Sequence, residues 1–317
     1  MSLHPVTPGT YTLSNSEIQT FKDCRRKWYL QYYRRLQSKR KSFVGPLALG
    51  SRVHNALDIY YSTGKPLLEA HAELVETDKA ALVEDGREAS DLDSEADLGR
   101  IMLEGYLEWV ENEGIDSELE MISTEEILSM ELFNGDVTLQ GKIDMRVRRK
   151  GDGVRMFRDF KTVGGSFVQF AATAHLNEQI LTYMMLEAAK SEGTGERSDG
   201  GLFTLLKKVK RTANAKPPFY EQFEVRHNIF TMRAFWTRIH GTITDLMRTK
   251  TALDSGESHL AVAYPRPSQD CTWKCPFFAV CPLMDDGSAA EGMITNLFEV
   301  ADPYAYYGDA DKKTEAI

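Results

Sequence analysis

Residues 137–162 read VTLQGKIDMRVRRKGDGVRMFRDFKT, and this stretch decides the fold. Apolar and polar residues alternate strictly in its first half, which is the pattern of a β-strand with one buried face. The Lys150–Gly153 segment marks a turn, and a further strand is predicted over about residues 154–162. Upstream, Asn134-Gly135 is a strong hairpin signal. The segment therefore predicts consecutive strands joined by tight turns.

Helical patterns flank this sheet along the chain. A capping box, Ser14-Asn15-Ser16-Glu17, opens the first of them. Helices are predicted at about 14–37, 48–62, 66–113, 173–190 and 229–249, and more strands near 200–207 and 219–226. This order predicts an α/β fold with a mixed central sheet flanked by helices. It suggests four segments: a helical region 1–115, a core 116–227, a C-terminal helix and three-cysteine segment 228–283, and a flexible tail 284–317.

Composition indicates an ordinary globular protein. The chain has 317 residues, of which 42% are hydrophobic and 27% are charged. Its net charge of -9 argues against a protein that coats polyanions in general. The first thirty residues contain no uninterrupted apolar run, so we expect neither a signal peptide nor a membrane span. A cytoplasmic location and reduced cysteines are the corresponding expectation.

Two basic clusters leave nucleic-acid binding open. Residues 21–41 hold nine Lys or Arg against one acid, with aromatic residues interleaved, as suits a single strand; solvated helix faces are the alternative. Trp28 and Tyr32 lie on the apolar stripe of the predicted helix and are expected in the core. The second cluster could line a nucleic-acid channel or form a solvated loop; it consists of Lys207, Lys208, Lys210 and Arg211.

The chain has four cysteines, placed near its two ends: Cys24, Cys271, Cys275 and Cys281. In a reducing compartment, clustered cysteines bind metal more often than they form disulfides. A single centre that bound all four would join the two ends of the chain. The cysteines are therefore expected to be structural.

Strand parity brings acidic side chains together. Asp144 lies on the polar face of its strand, and Asp159 and Lys161 point to the same side of the next one. Adjacent antiparallel strands can thus unite two carboxylates and an ammonium group, a set that suits Mg²⁺ or Mn²⁺. The alternative is an exposed Asp–Lys salt bridge. Gln179 and Tyr183 share a helix face, where they could position this site or contact a nucleic-acid strand.

These motifs, in this order, resemble those of the PD-(D/E)XK nuclease superfamily, and more narrowly its RecB-like branch. The matching residues are Gly141 and Asp144, then Asp159 and Lys161, then Gln179 and Tyr183. Leu13–Ser16, Phe21, Cys24, Gly50 and His54 resemble the first motif of that branch. The resemblance implies a restriction-endonuclease-like core in which Asp144, Asp159, Lys161, Gln179 and Tyr183 are catalytic. It also implies that His54, Asp144, Asp159 and the carbonyl of Phe160 hold the metal.

One early cysteine followed by three late ones is similar to the iron–sulfur nucleases, namely the CRISPR-associated RecB-like exonucleases and the AddB-type nuclease domains. That similarity implies a [4Fe-4S] cluster held by Cys24, Cys271, Cys275 and Cys281. The chain departs from the family in two places. Three residues separate Cys271 from Cys275 where two are common, and Arg25 follows Cys24 where proline is frequent. A four-thiolate Zn²⁺ site is the competing interpretation.

The sequence thus predicts a metal-dependent DNA exonuclease that prefers single strands. A helicase, recombination or CRISPR-adaptation protein is an expected partner. The alternative is a DNA-binding scaffold subunit of such a complex with little activity alone. No phosphate-binding glycine-rich loop is present in the sequence, so coupling to a helicase would need another chain.

Overall fold

The structure, a computed structural model, describes residues 11–40, 42–190, 197–305 and 307. The chain forms two compact units. The first contains the described residues of Met1–Lys41, Ser129–Gly141 and Phe230–Ile317, and the second those of Ser42–Leu128 and Lys142–Ile229. The four consecutive segments predicted from the sequence stay a prediction, because compactness does not show which parts fold independently.

The helices are α1 Asn15–Asp23, α2 Arg25–Trp28, α3 Pro46–Thr63, α4 Leu67–Glu84, α5 Asp93–Glu113, α6 Phe167–Ala174, α7 Glu178–Lys190, α8 Ile229–Asp254, α9 His259–Val262, α10 Cys271–Lys274 and α11 Ala290–Leu297. The longest of these, α8, has 26 residues and is amphipathic. In the described part of the chain, no helix combines the length and the apolar character that a membrane span requires.

The strands are β1 Tyr11–Ser14, β2 Leu36–Ser38, β3 Leu119–Leu132, β4 Val137–Arg149, β5 Arg155–Val163, β6 Gly200–Lys207, β7 Tyr220–Arg226 and β8 Phe298–Val300. The main sheet has the order β1-β4-β5-β6-β7, and β3 also pairs with β4. The β1–β4 and β5–β6 pairs are parallel, whereas β4–β5 and β6–β7 are antiparallel. The predicted α/β fold with a mixed central sheet is therefore confirmed.

The alternation predicted for β4 is present in the structure. From Val137 to Met145 every second side chain is buried, and those between are partly exposed. The hairpin before β4 turns at Asn134 and Gly135, whose φ angles are 57° and 93°. Such positive angles favour asparagine and glycine, so the sequence signal located this turn correctly.

Helix α3 packs against the sheet within the second unit. Its stripe of buried residues comprises Leu49, Val53, Ala56 and Leu57, which join a core with Met145 and Val147 of β4 and Phe160 of β5. His54 lies next to this stripe and is only partly buried. Packing of the stripe therefore fixes the helix so that His54 reaches the sheet at Phe160.

In the first unit, Cys24 interrupts the helix predicted over residues 14–37. The predicted start is correct, because the backbone N–H of Glu17 donates to Ser14 Oγ at 3.2 Å. At Cys24, however, the backbone is extended, and the thiol sulfur accepts from the N–H of Lys27 at 3.5 Å. The prediction of one continuous helix is therefore wrong: Cys24 ends α1 and caps α2.

The described part of the predicted tail is ordered structure. Helix α11 and strand β8 lie within residues 284–300, and β8 pairs with β2 in antiparallel orientation. A buried apolar cluster explains this order; it comprises Leu30, Leu36, Phe277, Val280, Ile294 and Phe298. The tail prediction is therefore wrong for these residues, because contacts distant in sequence order them. Residues 306 and 308–317 lie outside the described part.

Candidate active site

The sheet brings two carboxylates to the same place. Met145 of β4 pairs with Arg158 of β5 in the antiparallel register, so Asp144 and Asp159 stand at the next position. The side chain of Asp144 is 19% exposed, whereas that of Asp159 is 2% exposed. Both predicted acids therefore lie together at one end of the β4–β5 pair, with Asp159 the deeper of the two.

His54 and the carbonyl of Phe160 meet beside these carboxylates. His54 Nε2 lies 2.9 Å from Phe160 O, to which it donates a hydrogen bond. The same nitrogen is 3.5 Å from Asp144 Oδ2. Two atoms that the resemblance implies as ligands, Phe160 O and Asp144 Oδ2, thus lie within 3.5 Å of His54 Nε2.

Lys161 forms an ion pair with Asp159 on the same strand. Its Nζ lies 2.8 Å from Asp159 Oδ2 and donates to Oδ1 at 3.0 Å. Because Asp159 is buried, this pair is not the exposed surface bridge that the sequence alone left open. Within the described part of the chain, Oδ2 is close to the ammonium charge but accepts no hydrogen bond of suitable geometry. A buried carboxylate oxygen in that state has lone pairs available for a metal ion.

Gln179 and Tyr183 connect Lys161 to β4. Lys161 Nζ donates to Gln179 Oε1 at 3.1 Å, Gln179 Nε2 donates to Tyr183 Oη at 2.9 Å, and Tyr183 Oη donates to Lys142 O at 2.6 Å. Asn177 sets the start of α7 by accepting from the N–H groups of Gln179 and Ile180. The helix predicted over 173–190 begins later, at Glu178, because a separate helix, α6, ends at Ala174, and this break orients Gln179.

Electrostatics at this site favour additional positive charge. Burial raises the pKa of Asp144 to about 6, and the charge of Asp159 adds to this increase, while His54 and Lys161 act in the opposite direction. Burial lowers the pKa of Lys161, but the attraction of Asp159 and Asp144 outweighs it and leaves that pKa raised. Lys161 therefore stays an ammonium group. Its single positive charge interacts with two carboxylates, those of Asp159 and Asp144.

Two residues that the sequence analysis did not nominate support the site. One is Lys142, whose carbonyl accepts from Tyr183. The other is Arg158, which is buried, donates to Asp116 Oδ1 at 2.8 Å and lies 4.9 Å from the ring centroid of Phe160. Tyr61 stacks on that ring at a centroid distance of 5.6 Å. Arg158 is a charged residue among the buried positions of β5, and a buried charge needs a partner. This is the sequence signal that could have identified it.

The donor set fits a hard divalent cation chemically. It offers carboxylate oxygens from Asp144 and Asp159, the Phe160 carbonyl and the His54 imidazole. In the described residues, however, no group of three or more His, Cys, Asp or Glu side chains is arranged to hold a metal ion. Among the described residues, the buried Asp159 Oδ2 has the Lys161 ammonium group at 2.8 Å but accepts no hydrogen bond, so it can also bind a cation.

The four cysteines lie in the first unit, where all are partly buried and free of disulfides. Cys24 Sγ also accepts from the N–H of Arg266 at 3.5 Å, and Cys271 Sγ from the N–H of Ser268 at 3.4 Å. Burial raises the pKa of Cys275 and Cys281, and each also interacts electrostatically with Cys24. The N-terminal and C-terminal cysteines are therefore neighbours, although across the described ranges no three thiols are arranged to hold one metal ion.

The first basic cluster is largely engaged within the first unit. Arg26 pairs with Asp285 at 2.7 Å, Arg34 pairs with Glu291 at 2.7 Å, and Arg25 pairs with Asp245. Trp28 and Tyr32 are buried, so their predicted place in the core is confirmed. These contacts stabilise the first unit, and burial of Trp28 and Tyr32 removes two of the four interleaved aromatic side chains from any base-stacking surface.

Comparison with known proteins identifies one family. Residues 12–282 match the sequence model of the PD-(D/E)XK nuclease superfamily. No curated protein matches the chain. A candidate exonuclease from Eubacterium rectale is similar in structure, with a TM-score of 0.44, 14% identity and coverage of 76% of this chain and 82% of that one. The protein SSO0001 gives a TM-score of 0.34, 13% identity and coverage of 88% and 89%.

Proposed function

Because the chain belongs to the PD-(D/E)XK nuclease superfamily, we propose that it is a Mg²⁺- or Mn²⁺-dependent deoxyribonuclease of the RecB-like branch. The observation that carries this proposal is the proximity of His54 Nε2 to both Phe160 O and Asp144 Oδ2, beside the ion pair of the buried Asp159 with Lys161. These residues and Asp159 would hold the cation. A bound divalent ion supplies charge stabilisation at the phosphate and a more acidic water molecule.

Lys161 is the group that orients the attacking water in this proposal. Its raised pKa keeps it protonated, so it can donate to water or to a phosphate oxygen that gains negative charge. Asp159 and Gln179 restrain its Nζ from two sides, at 2.8 and 3.1 Å. As the water oxygen bonds to phosphorus, the P–O bond to the leaving sugar oxygen breaks. The water gives up one proton to the solvent and the leaving oxygen takes one up, so one product carries the phosphate and the other a hydroxyl group. Positioning of Lys161 is thus the task of the residues around it.

Incubation with end-labelled DNA tests the function directly. We expect degradation of single strands in Mn²⁺ or Mg²⁺, slower degradation of duplexes, and no product in EDTA. Single-nucleotide products would indicate an exonuclease. The preference for single strands is part of this proposal, and the relative rates on the two substrates test it. Binding without any product in either metal would contradict the proposed enzyme and indicate a scaffold subunit of a recombination or CRISPR-adaptation complex.

We further propose that the four cysteines hold a [4Fe-4S] cluster. Support comes from the proximity of Cys24 to Cys275 and Cys281, and from backbone N–H groups that donate to the sulfurs of Cys24 and Cys271. Hydrogen bonds to sulfur are one means by which proteins tune such clusters. A Zn²⁺ site with the same four thiolates is the alternative, and it would be colourless.

Tyr183→Phe should lower the cleavage rate by about 10- to 100-fold, because small displacements of positioning groups have effects of this size. The change removes only the hydroxyl that joins Gln179 to the backbone of Lys142. Single-turnover cleavage at saturating DNA measures the rate separately from binding. Tyr60→Phe, elsewhere in the same unit, is the matched control. An unchanged rate in Tyr183→Phe would show that this link does not position Lys161.

A further inference from the structure

A cleft of about 370 Å³ leads away from the candidate active site within the second unit. Its lining residues include Ser51, His54, Asn55, Lys161, Thr162 and Lys208. Among these described residues none carries a carboxylate, although the chain as a whole has a net charge of -9. Two lysines and several neutral hydrogen-bonding side chains line it instead. Such a surface suits an anion that extends beyond the catalytic edge.

Lys208 is the member of the second basic cluster that lines this cleft. Within the described residues, the other three have different surroundings. Lys210 lies 3.5 Å from Asp97, and Arg211 stacks on Phe219 with 3.7 Å between the guanidinium carbon and the ring centroid. Lys207 lies over the ring of Phe167 at 5.9 Å. The four residues are close in sequence but have different contacts, and of these four it is Lys208 that lines the cleft.

Contacts with α3 hold Lys208 in place. Its Nζ donates to Pro46 O at 2.6 Å, which uses one of the three donors of an ammonium group. A Cβ atom at Gly50 would lie 2.9 Å from Thr162 Oγ1 and 3.4 Å from Lys208 Nζ. Glycine at this position thus allows the helix to approach Thr162 and Lys208 closely. The ammonium group is prepositioned, so little side-chain entropy is lost when an anion binds.

We propose that this cleft binds the phosphodiester next to the scissile one, with Lys208 as its cation and Ser51, Asn55 and Thr162 as hydrogen-bond donors. The inference rests on the proposed function, because it takes the phosphate at His54 and Lys161 as the scissile group. Contacts of lysine with backbone phosphates supply affinity and register without reading sequence. Lys208 is thus a residue that positions the strand.

Binding of oligonucleotides in EDTA, where no cleavage is expected, tests this subsite. A set of single-stranded oligonucleotides carries one neutral methylphosphonate, moved along the strand one linkage at a time. We expect Lys208→Ala to weaken binding about 10-fold at low salt and to reduce the slope of log K against log salt by about 0.7. One methylphosphonate position should weaken wild-type binding but have no further effect on Lys208→Ala. Lys208→Arg should retain both properties.

Lys210→Ala is the matched control, because it removes the same charge from a nearby exposed position. An equal loss of affinity and slope in Lys208→Ala and Lys210→Ala would overturn the subsite, as would an unchanged methylphosphonate effect in Lys208→Ala. Failure of the wild-type chain to bind any strand would also overturn it. A chain that binds with the expected Lys208 dependence but cleaves nothing in Mn²⁺ would contradict the proposed function, and Lys208 would then contact a strand that the protein binds without cutting.

Discussion

Asp159→Asn should reduce metal-dependent DNA cleavage at least about 1,000-fold, which corresponds to about 4 kcal/mol of lost transition-state stabilisation. The substitution keeps the volume of the side chain but removes its charge. A cation would lose an anionic ligand at the buried Oδ2, and Lys161 would lose the carboxylate 2.8 Å from its Nζ. The cause is therefore chemical rather than steric.

The measurement is single-turnover cleavage of end-labelled single-stranded DNA across a range of Mn²⁺ concentrations. Asp97→Asn provides the control, because Asp97 is an exposed carboxylate that pairs with Arg100 at 2.9 Å on the surface. Far-ultraviolet circular dichroism shows whether each variant folds, since leaving the partly buried Lys161 without its carboxylate partner also lowers stability. If folded Asp159→Asn cleaves as fast as Asp97→Asn, Asp159 has no role in the reaction.

Local patterns predicted the sheet and its acidic pair because strand parity depends only on neighbouring residues. Alternation in β4 indicated the face of Asp144, and the two-residue spacing put Asp159 and Lys161 together. The contact of His54 with Phe160 O depends instead on how α3 packs on the sheet. The sequence of α3 does not specify how closely the helix packs on the sheet. Only the resemblance to a nuclease family indicated that His54 belongs to the site.

Predictions failed where distant contacts decide the backbone. Periodicity favoured one long helix through Cys24, yet the residue is extended and its sulfur accepts hydrogen bonds from Lys27 and from Arg266. Composition favoured a loose tail from residue 284, yet Ile294 and Phe298 are buried. In both cases a stabilising contact joins residues more than two hundred positions apart in the sequence. A local pattern carries no information about such contacts.

Charge runs were similarly ambiguous, because a cluster in sequence need not face one surface. Arg26 and Arg34 form ion pairs in the first unit, whereas Lys208 lines the cleft of the second. Counting lysines and arginines therefore indicated that nucleic-acid binding was possible. The partners of each cation were needed to tell structural charges from those available to a ligand.

Cys281→Ser should abolish visible absorption and lower the thermal midpoint by at least about 5 °C, a shift that corresponds to a few kcal/mol in a chain of this size. The change removes one proposed cluster ligand in the segment that meets the N-terminal helices. Binding energy of such a centre is also folding energy, so losing it destabilises the chain. The β2–β8 ladder and the apolar cluster around Phe277 and Val280 should still join the chain ends. We therefore expect a less stable but folded protein.

Anaerobic purification, a visible spectrum and a thermal melt by circular dichroism measure both effects on one sample. Thr272→Ala is the control, because Thr272 is exposed and adjoins Cys271 without contributing a thiol. A colourless wild type that contains one equivalent of zinc would replace the iron–sulfur assignment with the four-thiolate alternative. If the Cys281→Ser protein stays coloured and melts like Thr272→Ala, Cys281 is not a ligand. Neither the iron–sulfur nor the zinc assignment to four thiolates would then hold.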